Sequence, residues 1–446
     1  MQEKKTVAIT TLGCKVNQFE SASFISRFQN HGLEVVPFTS KADIYVINTC
    51  AVTGKAGAQS RQMIRRAMRN NPEARIMVTG CYAQVSSQEV LELADLPICL
   101  VGNENKHLLV DIALSNKLCD LEIYIGDISK KREISPLEVQ RFSGRTRAYI
   151  KVQDGCNNFC SYCIVPYARG RVRSLPPDKV MEQIATFARE GYRELVLTGI
   201  HVGHYGTDFD PSMSLLDLIR HIDERQDELR YRISSLEPKE ISPEMLEVLA
   251  ASQRFMPHFH LPLQSGDNGI LQKMNRTYTR EEFRATVQGI IARMPEAAIG
   301  IDVMVGFPGE DEQAFQNTKE LLEELPITYL HVFPYSVRPG TAAEKMEGHL
   351  PKEVKDQRAA ALRELDHKKR TAFYSKFIGT SRRVLAESSK NKFKMMRGFS
   401  GNYIPIHFQA PASVANQFVE VRIDRVMDRN VFGTMIAGPE GQGRLF

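Results

Sequence analysis

The chain of 446 residues lacks several things that would narrow its class at once. No apolar run approaches the roughly 18 residues of a membrane-spanning helix. The first residues, Met1-Gln2-Glu3-Lys4-Lys5, run straight into a strand-like segment without an apolar core, so no secretory signal is expected and a cytoplasmic protein is. There is no internal repeat and no long low-complexity tract. Gly54-Lys55 is not a phosphate-binding loop, because position 49 is Thr rather than Gly and Ala56 stands where Ser or Thr is needed. Excess charge of one sign is also missing: the net charge is only +5. Its distribution is uneven, however. Residues 376–436 hold ten Lys/Arg against four Asp/Glu, or +6, and leave the rest of the chain at −1. That end points towards a polyanionic partner.

What the chain does have is eight cysteines. In a reducing compartment such residues serve more often as metal ligands or catalysts than as disulfides. Three of them form Cys156-Asn157-Asn158-Phe159-Cys160-Ser161-Tyr162-Cys163. Structural zinc wants four closed ligands, usually as two pairs, and no second Cys or His pair follows at that spacing. A 4Fe–4S cube held by three thiolates keeps one iron open for a ligand.

Periodicity divides the chain into three units, all told an α/β protein. Residues 1–125 alternate short apolar strands (Val7–Leu12, Ile44–Asn48, Arg75–Thr79, Ile98–Val101) with amphipathic helices (Gln18–Asn30, Ala58–Met68, Ser87–Leu93), which predicts a doubly wound domain. Residues 126–144 are polar and aperiodic, and read as a linker. From 145 to 375 six strands are expected: Ala148–Gln153, Glu194–Thr198, Tyr231–Ser235, His258–Leu263, Gly300–Val305 and Tyr329–Tyr335. Six βα units without a seventh predict a partial TIM-like barrel, with 351–375 a charged helix leaving it. Residues 376–440 read as a small all-β domain with strands Val384–Glu387, Asn402–His407, Phe418–Ile423 and Val431–Ile436.

Cys14, Cys50 and Cys81 each follow an N-terminal strand, where ligands of doubly wound sheets gather. They are read as a second ligand trio. Cys99 lies within a strand and Cys119 in a polar connection. At the barrel's strand ends, Gly199, Glu237 and Gly306 are expected near the cofactor beside Tyr162, while His201 and His204 read as polar loop surface. Arg61, Arg65 and Arg69 fall on one helix face. Lys390, Lys392, Lys394 and Arg397 interleave with Phe393, Phe399 and Tyr403, a pattern suited to phosphate contact and base stacking. Arg61, Arg65, Lys392, Lys394 and Arg397 are therefore expected to bind RNA.

The Cys156–Cys163 motif resembles that of the radical S-adenosylmethionine superfamily, with Tyr162 in its aromatic position. The resemblance implies that the open iron chelates S-adenosylmethionine, which is cleaved to a 5′-deoxyadenosyl radical. Thr11-Leu12-Gly13-Cys14-Lys15-Val16-Asn17, Asn48-Thr49-Cys50 and Thr79-Gly80-Cys81-Tyr82-Ala83-Gln84 resemble the three N-terminal motifs of the methylthiotransferase family. Gly398-Phe399-Ser400-Gly401-Asn402-Tyr403 is similar to its TRAM domain. The likeness covers nearly the whole chain. It implies two 4Fe–4S clusters, one generating the radical and one delivering sulfur, together with an unidentified electron donor and sulfur source. The first motif looks like the branch acting on carbon 2 of N6-threonylcarbamoyladenosine at position 37, in the tRNA anticodon stem-loop. Isopentenyladenosine in tRNA or a ribosomal protein is the alternative substrate. From another class, a non-catalytic metal-containing RNA-binding protein is the rival.

Overall fold

Runs such as Ile44–Thr49 and Ile98–Val101 are buried along their whole length, as strands covered on both faces must be. In the computed structural model, which describes residues 4–93, 98–115, 122–387 and 393–438, they form a six-stranded parallel sheet. Its order is Glu34–Val36, Thr6–Thr11, Ile44–Thr49, Arg75–Gly80, Ile98–Val101, Glu122–Tyr124. The chain reverses its direction of travel across the sheet between Thr6–Thr11 and Ile44–Thr49, and ligand crevices form at such switch points. The two outermost strands have three residues each and carry no apolar run, so periodicity did not announce them.

Residues 126–144 are not a loose linker. Ile128, Leu137, Val139 and Phe142 are buried, and the Phe142 amide donates to Tyr192 Oη at 2.8 Å. The polar residues between them concealed the apolar anchors.

Six parallel strands follow in two arcs of three. Arg147–Lys151, Glu194–Thr198 and Arg230–Ile233 form one, and His258–Gln264, Ala298–Val305 and Tyr329–Pro334 the other. They are the partial barrel expected. The long helix Lys352–Ser375 does not leave it. Asp366 accepts from the Leu330 amide of the last strand at 2.7 Å, and Arg358 pairs with buried Glu310 at 2.6 Å. The helix satisfies and covers an otherwise open strand edge.

Ser381–Ala386, Met396–Ser400, Pro405–Phe408, Phe418–Met427 and Asn430–Ala437 close a small barrel. The strand expected over Asn402–His407 begins only at Pro405, and a strand that was not expected, Met396–Ser400, precedes it. The turn between them holds Tyr403 at φ 63° and precedes Pro405. That turn plugs the amino-terminal mouth of the large barrel. Arg232 donates to the carbonyls of Ser400 and Gly401, both at 2.8 Å. Tyr403 stacks on His258 with centroids 4.4 Å apart and lies 4.7 Å beneath the Arg232 guanidinium. Tyr403→Ala is expected to cost about 3 kcal/mol. In urea the small barrel should then detach first; an unchanged denaturation curve would show that the plug contributes nothing. Among the described residues, no helix is long and apolar enough to cross a membrane.

Candidate active site

Cys14, Cys50 and Cys81 leave three adjacent strands at their carboxyl ends, and their motif neighbours explain how three loops stay together. Asn17 donates to Leu12 O at 2.7 Å and to Thr49 O at 2.9 Å. Asn48 donates back to Asn17 O at 3.0 Å, and Thr49 Oγ1 donates to Thr79 O at 2.6 Å. Gly80, at φ 98°, sits where a Cβ would lie 2.3 Å from Thr49 O, so only glycine fits. A Cβ on Gly13 would meet Cys50 Sγ at 2.7 Å. Cys14 caps the helix Lys15–Asn30, whose positive end favours thiolate there.

The second trio hangs from the carboxyl end of the first barrel strand. The Cys156 amide donates to Gly170 O at 3.0 Å, and the Cys163 amide to Cys160 O at 3.0 Å. The Asn158 amide donates to Cys156 Sγ at 3.3 Å. Arg276 donates to Cys160 Sγ at 3.3 Å and is itself held by Glu237.

The two trios belong to different folding units, yet a residue of the second unit reaches the first trio. Arg169 lies on the short helix Val165–Arg169 that follows Cys163. Its Nε donates to Cys81 Sγ at 3.3 Å and its Nη2 to Asn17 Oδ1 at 2.5 Å. Its Nη1 pairs with Glu20 at 2.6 Å and Asp154 at 3.2 Å. Lys106 completes the cluster, 2.6 Å from Glu20, and all four side chains are at most 10 % exposed.

A single metal ion fits neither trio as placed, and thiolates are the ligands of iron–sulfur clusters. A tetrahedral ion with 2.3 Å bonds to sulfur would bring thiolates to about 3.8 Å from one another. Among the described residues, neither trio brings its three Sγ atoms within 4.8 Å. Burial, then neighbouring cysteines, push Cys50 and Cys163 up to about 12. Burial likewise raises Cys14 and Cys160. Such thiols give up their protons when a metal takes their place.

Other expected site residues are distributed unevenly. Tyr162 meets Phe307 edge to face, with centroids 6.3 Å apart. Gly199 abuts Gln153, whose Oε1 accepts from the Ile200 and His201 amides at 3.0 and 2.8 Å. Glu237 stands one residue removed from Cys160, through Arg276. Gly306 is packed beneath the Lys355 stem, and its amide is committed to Glu310 Oε1 at 2.9 Å. It lies at the turn that follows the strand Ala298–Val305, with φ 75°.

The histidine reading is corrected. His201 is buried, stacks on His204 with centroids 3.8 Å apart, lies 3.4 Å from Cys156 Sγ and binds Glu240. Burial lowers His201, but its bonds to Cys156 and Glu240 prevail and push it up to about 10. Within the barrel lumen, Asp302 Oδ1 lies 3.1 Å from His260 Nε2 and 3.2 Å from His331 Nδ1. Burial would raise Asp302, yet these two partners hold it at about 2.

The expected RNA contacts lie elsewhere. Arg61 is half-buried, donating to Tyr82 Oη at 2.9 Å and pairing with Glu89 at 3.5 Å, whereas Arg65 and Arg69 are exposed. Lys394 is exposed, and Arg397 lies over Phe399 and within 3.8 Å of Glu387. Phe399 and Tyr403 are not free stacking platforms, since they seal the large barrel. Lys390 and Lys392 lie outside the described residues.

Sequence reasoning missed Arg169, Glu20, Arg276 and Asp302. The signal available for Arg169 was a charge following the apolar residues Ile164–Ala168, directly after the cysteine loop.

Residues 6–102 match the model of "Uncharacterized protein family UPF0004", and residues 150–322 that of the radical SAM superfamily. A relative from Aquifex aeolicus (strain VF5), named threonylcarbamoyladenosine tRNA methylthiotransferase MtaB, is 42% identical over 85% of this chain and 92% of its own. Its namesake in Bacillus subtilis (strain 168) is 38% identical over 94% and 93%. Among solved structures, the radical S-adenosylmethionine methyltransferase TsrM of Kitasatospora setae shares the fold. Its TM-score is 0.55 at 16% identity, covering 77% of each chain. With its two braced cysteine trios, this chain belongs to the radical S-adenosylmethionine methylthiotransferase family.

Proposed function

We propose that this chain transfers a methylthio group to carbon 2 of N6-threonylcarbamoyladenosine at position 37 of tRNA, in the anticodon stem-loop. The observation that carries the proposal is the pair of cysteine trios at strand carboxyl ends of two domains, with Arg169, just beyond the second trio in the chain, bonded to Cys81 of the first. Cys156, Cys160 and Cys163 would hold one cluster, and Cys14, Cys50 and Cys81 the other. When bound, these clusters and S-adenosylmethionine supply a transferable sulfur and a radical able to open an unreactive C–H bond. An aromatic C–H has no acidic proton for a base and no leaving group for a nucleophile, so acid–base residues alone do not suffice.

The chain's own residues prepare that chemistry. Arg276, Arg169 and the Asn158 amide donate to Cys160, Cys81 and Cys156. Such donors stabilise anionic sulfur and set how readily a cluster accepts an electron. The lumen walls position the base and exclude water. An external one-electron donor and a sulfur source are required. The names carried by the relatives support the choice of base, and Arg65, Lys394 and Arg397 are available to the RNA backbone.

Nucleoside analysis of tRNA from a deletion strain tests the reading. The 2-methylthio mark on threonylcarbamoyladenosine is expected to disappear and to return on complementation. Unchanged nucleosides would remove the assignment; loss of the mark from isopentenyladenosine instead would move the enzyme to the other substrate branch.

A further inference from the structure

Lys15 follows Cys14 directly and turns away from the buried ion cluster towards the barrel lumen, within electrostatic reach of Asp302 and Arg232. Its side chain remains accessible to solvent. It borders a cavity of about 230 Å³ that is also lined by Arg145, Arg147, Tyr149, Arg232 and Glu387. The cations of this wall differ in their commitments. Arg147 and Arg232 share Glu194 at 2.5 and 2.9 Å, and Arg147 also reaches Glu387 at 3.1 Å. Among the described residues, Lys15 and Arg145 have no carboxylate within 4.0 Å; Arg145 only touches Tyr149 Oη at 3.3 Å. The cavity, which the plug residues His258 and Tyr403 also line, therefore presents two cations without a bonded carboxylate, one of them on the residue that follows the first sulfur ligand. It is too small for a nucleoside and sized for a substituent carried by one.

We infer that Lys15, assisted by Arg145, pairs with a carboxylate on the N6 substituent of the target base and so decides which modified adenosine is accepted. The inference rests on the proposed function and deepens it. A threonylcarbamoyl group ends in a free carboxylate and a hydroxyl, whereas an isopentenyl group offers only hydrocarbon. An apolar substituent in this cavity would leave both cations without a partner and strip them of water, which costs free energy. Positive charge next to Cys14 thus favours one branch of substrate and penalises the other. The position also suits the chemistry. A group fixed by Lys15 is fixed one residue from the sulfur site, so recognition and placement are one event.

The test compares two stem-loop RNAs. One carries N6-threonylcarbamoyladenosine; in the other, the threonine carboxylate is converted to the carboxamide, identical in shape but neutral. Anaerobic dissociation constants and methylthiolation rates are measured for the unaltered protein, for Lys15→Met and for Arg145→Met. The unaltered protein should prefer the carboxylate by roughly 10- to 100-fold, the worth of one charge-assisted hydrogen bond. Lys15→Met should lose most of the preference, keeping only the small part that Arg145 supplies, and Arg145→Met should keep the larger part of it. Iron content and the electron paramagnetic resonance signal of each variant show that the Cys14 site remains loaded. Should Lys15→Met lose iron, Arg145→Met decides: an undiminished preference there overturns the inference. A Lys15→Met protein that favours the carboxylate as strongly as the unaltered one overturns it as well. An unaltered protein active on both RNAs without preference removes the inference alone. One inert towards threonylcarbamoyladenosine removes the proposed function, and this inference with it.

Discussion

A chain with Cys156, Cys160 and Cys163 all changed to Ala is expected to retain about four irons after anaerobic reconstitution and to form no methylthiolated nucleoside. The iron should persist because nothing that braces the other trio comes from the deleted thiols. Asn17, Asn48 and Thr49 hold the three N-terminal loops to one another, and Gly80 admits the Thr49 backbone without a clash. Arg169 still reaches Cys81, since its helix begins after Cys163 and is held by Glu20 and Asp154. Product should vanish to the limit of detection, because no remaining group replaces the radical source. The reciprocal variant, with Cys14, Cys50 and Cys81 changed to Ala, should keep the other cluster and still cleave S-adenosylmethionine while transferring no sulfur. Iron analysis decides between independence and a shared site. If the first variant comes back without iron, the N-terminal cysteines depend on the radical loop and sulfur delivery must be sought elsewhere.

Much of this site was legible because its chemistry is written in local spacing. Three cysteines within eight residues, and three more each just beyond an apolar strand, need no tertiary knowledge to be grouped. Strands buried on both faces announce themselves by near-continuous apolar runs, which is why Ile98–Val101 and Glu194–Thr198 match their expected bounds. Elements lacking that signal were missed. Glu34–Val36 and Glu122–Tyr124 exist as strands because a neighbouring edge supplies partners. The helix expected from Gln18 begins at Lys15, since its cap is Cys14 and no capping side chain marks the start.

The misread residues share another cause: side chains with two uses that composition does not distinguish. Arginines among aromatics suit an RNA strand, yet Phe399 and Tyr403 meet Arg147 and Arg232 of the same chain. Histidines in a loop suggest polar surface, yet Glu240, 39 positions beyond His201, draws that ring inside. The charged helix Lys352–Ser375 seemed bound for solvent, whereas Asp366 closes a strand edge. In each case the deciding partner is distant in sequence, and its choice depends on which surfaces the fold brings together.

The carboxylate partner of Arg169 most distant in sequence is Glu20, and it yields the second large effect. Glu20→Ala is expected to destabilise the chain by about 3–5 kcal/mol. It would leave Arg169, Lys106 and Lys151 facing one another with only Asp154 to balance them, all of them buried. Their mutual repulsion should part the N-terminal sheet from the barrel and free Arg169 from Cys81, so iron on the Cys14 trio should fall together with stability. The same ion cluster sets the acid limit. Burial alone would raise Glu20, but Arg169, Lys106 and Lys151 outweigh it and hold it at about 2. Asp154 is held low in the same way. An unfolded glutamate titrates near pH ~4.3. A group whose folded value is depressed contributes fully above the unfolded value and loses that contribution as pH falls towards the folded one. Stability of the unaltered apoprotein should therefore be level above about pH 5 and decline from there towards about pH 2. Urea denaturation across that range measures it, and Glu20→Gln should show a shallower slope. An unaltered slope in the Gln variant would assign the acid sensitivity to the other depressed carboxylates, Asp154, Glu194 and Asp302, and leave Glu20 a packing role only.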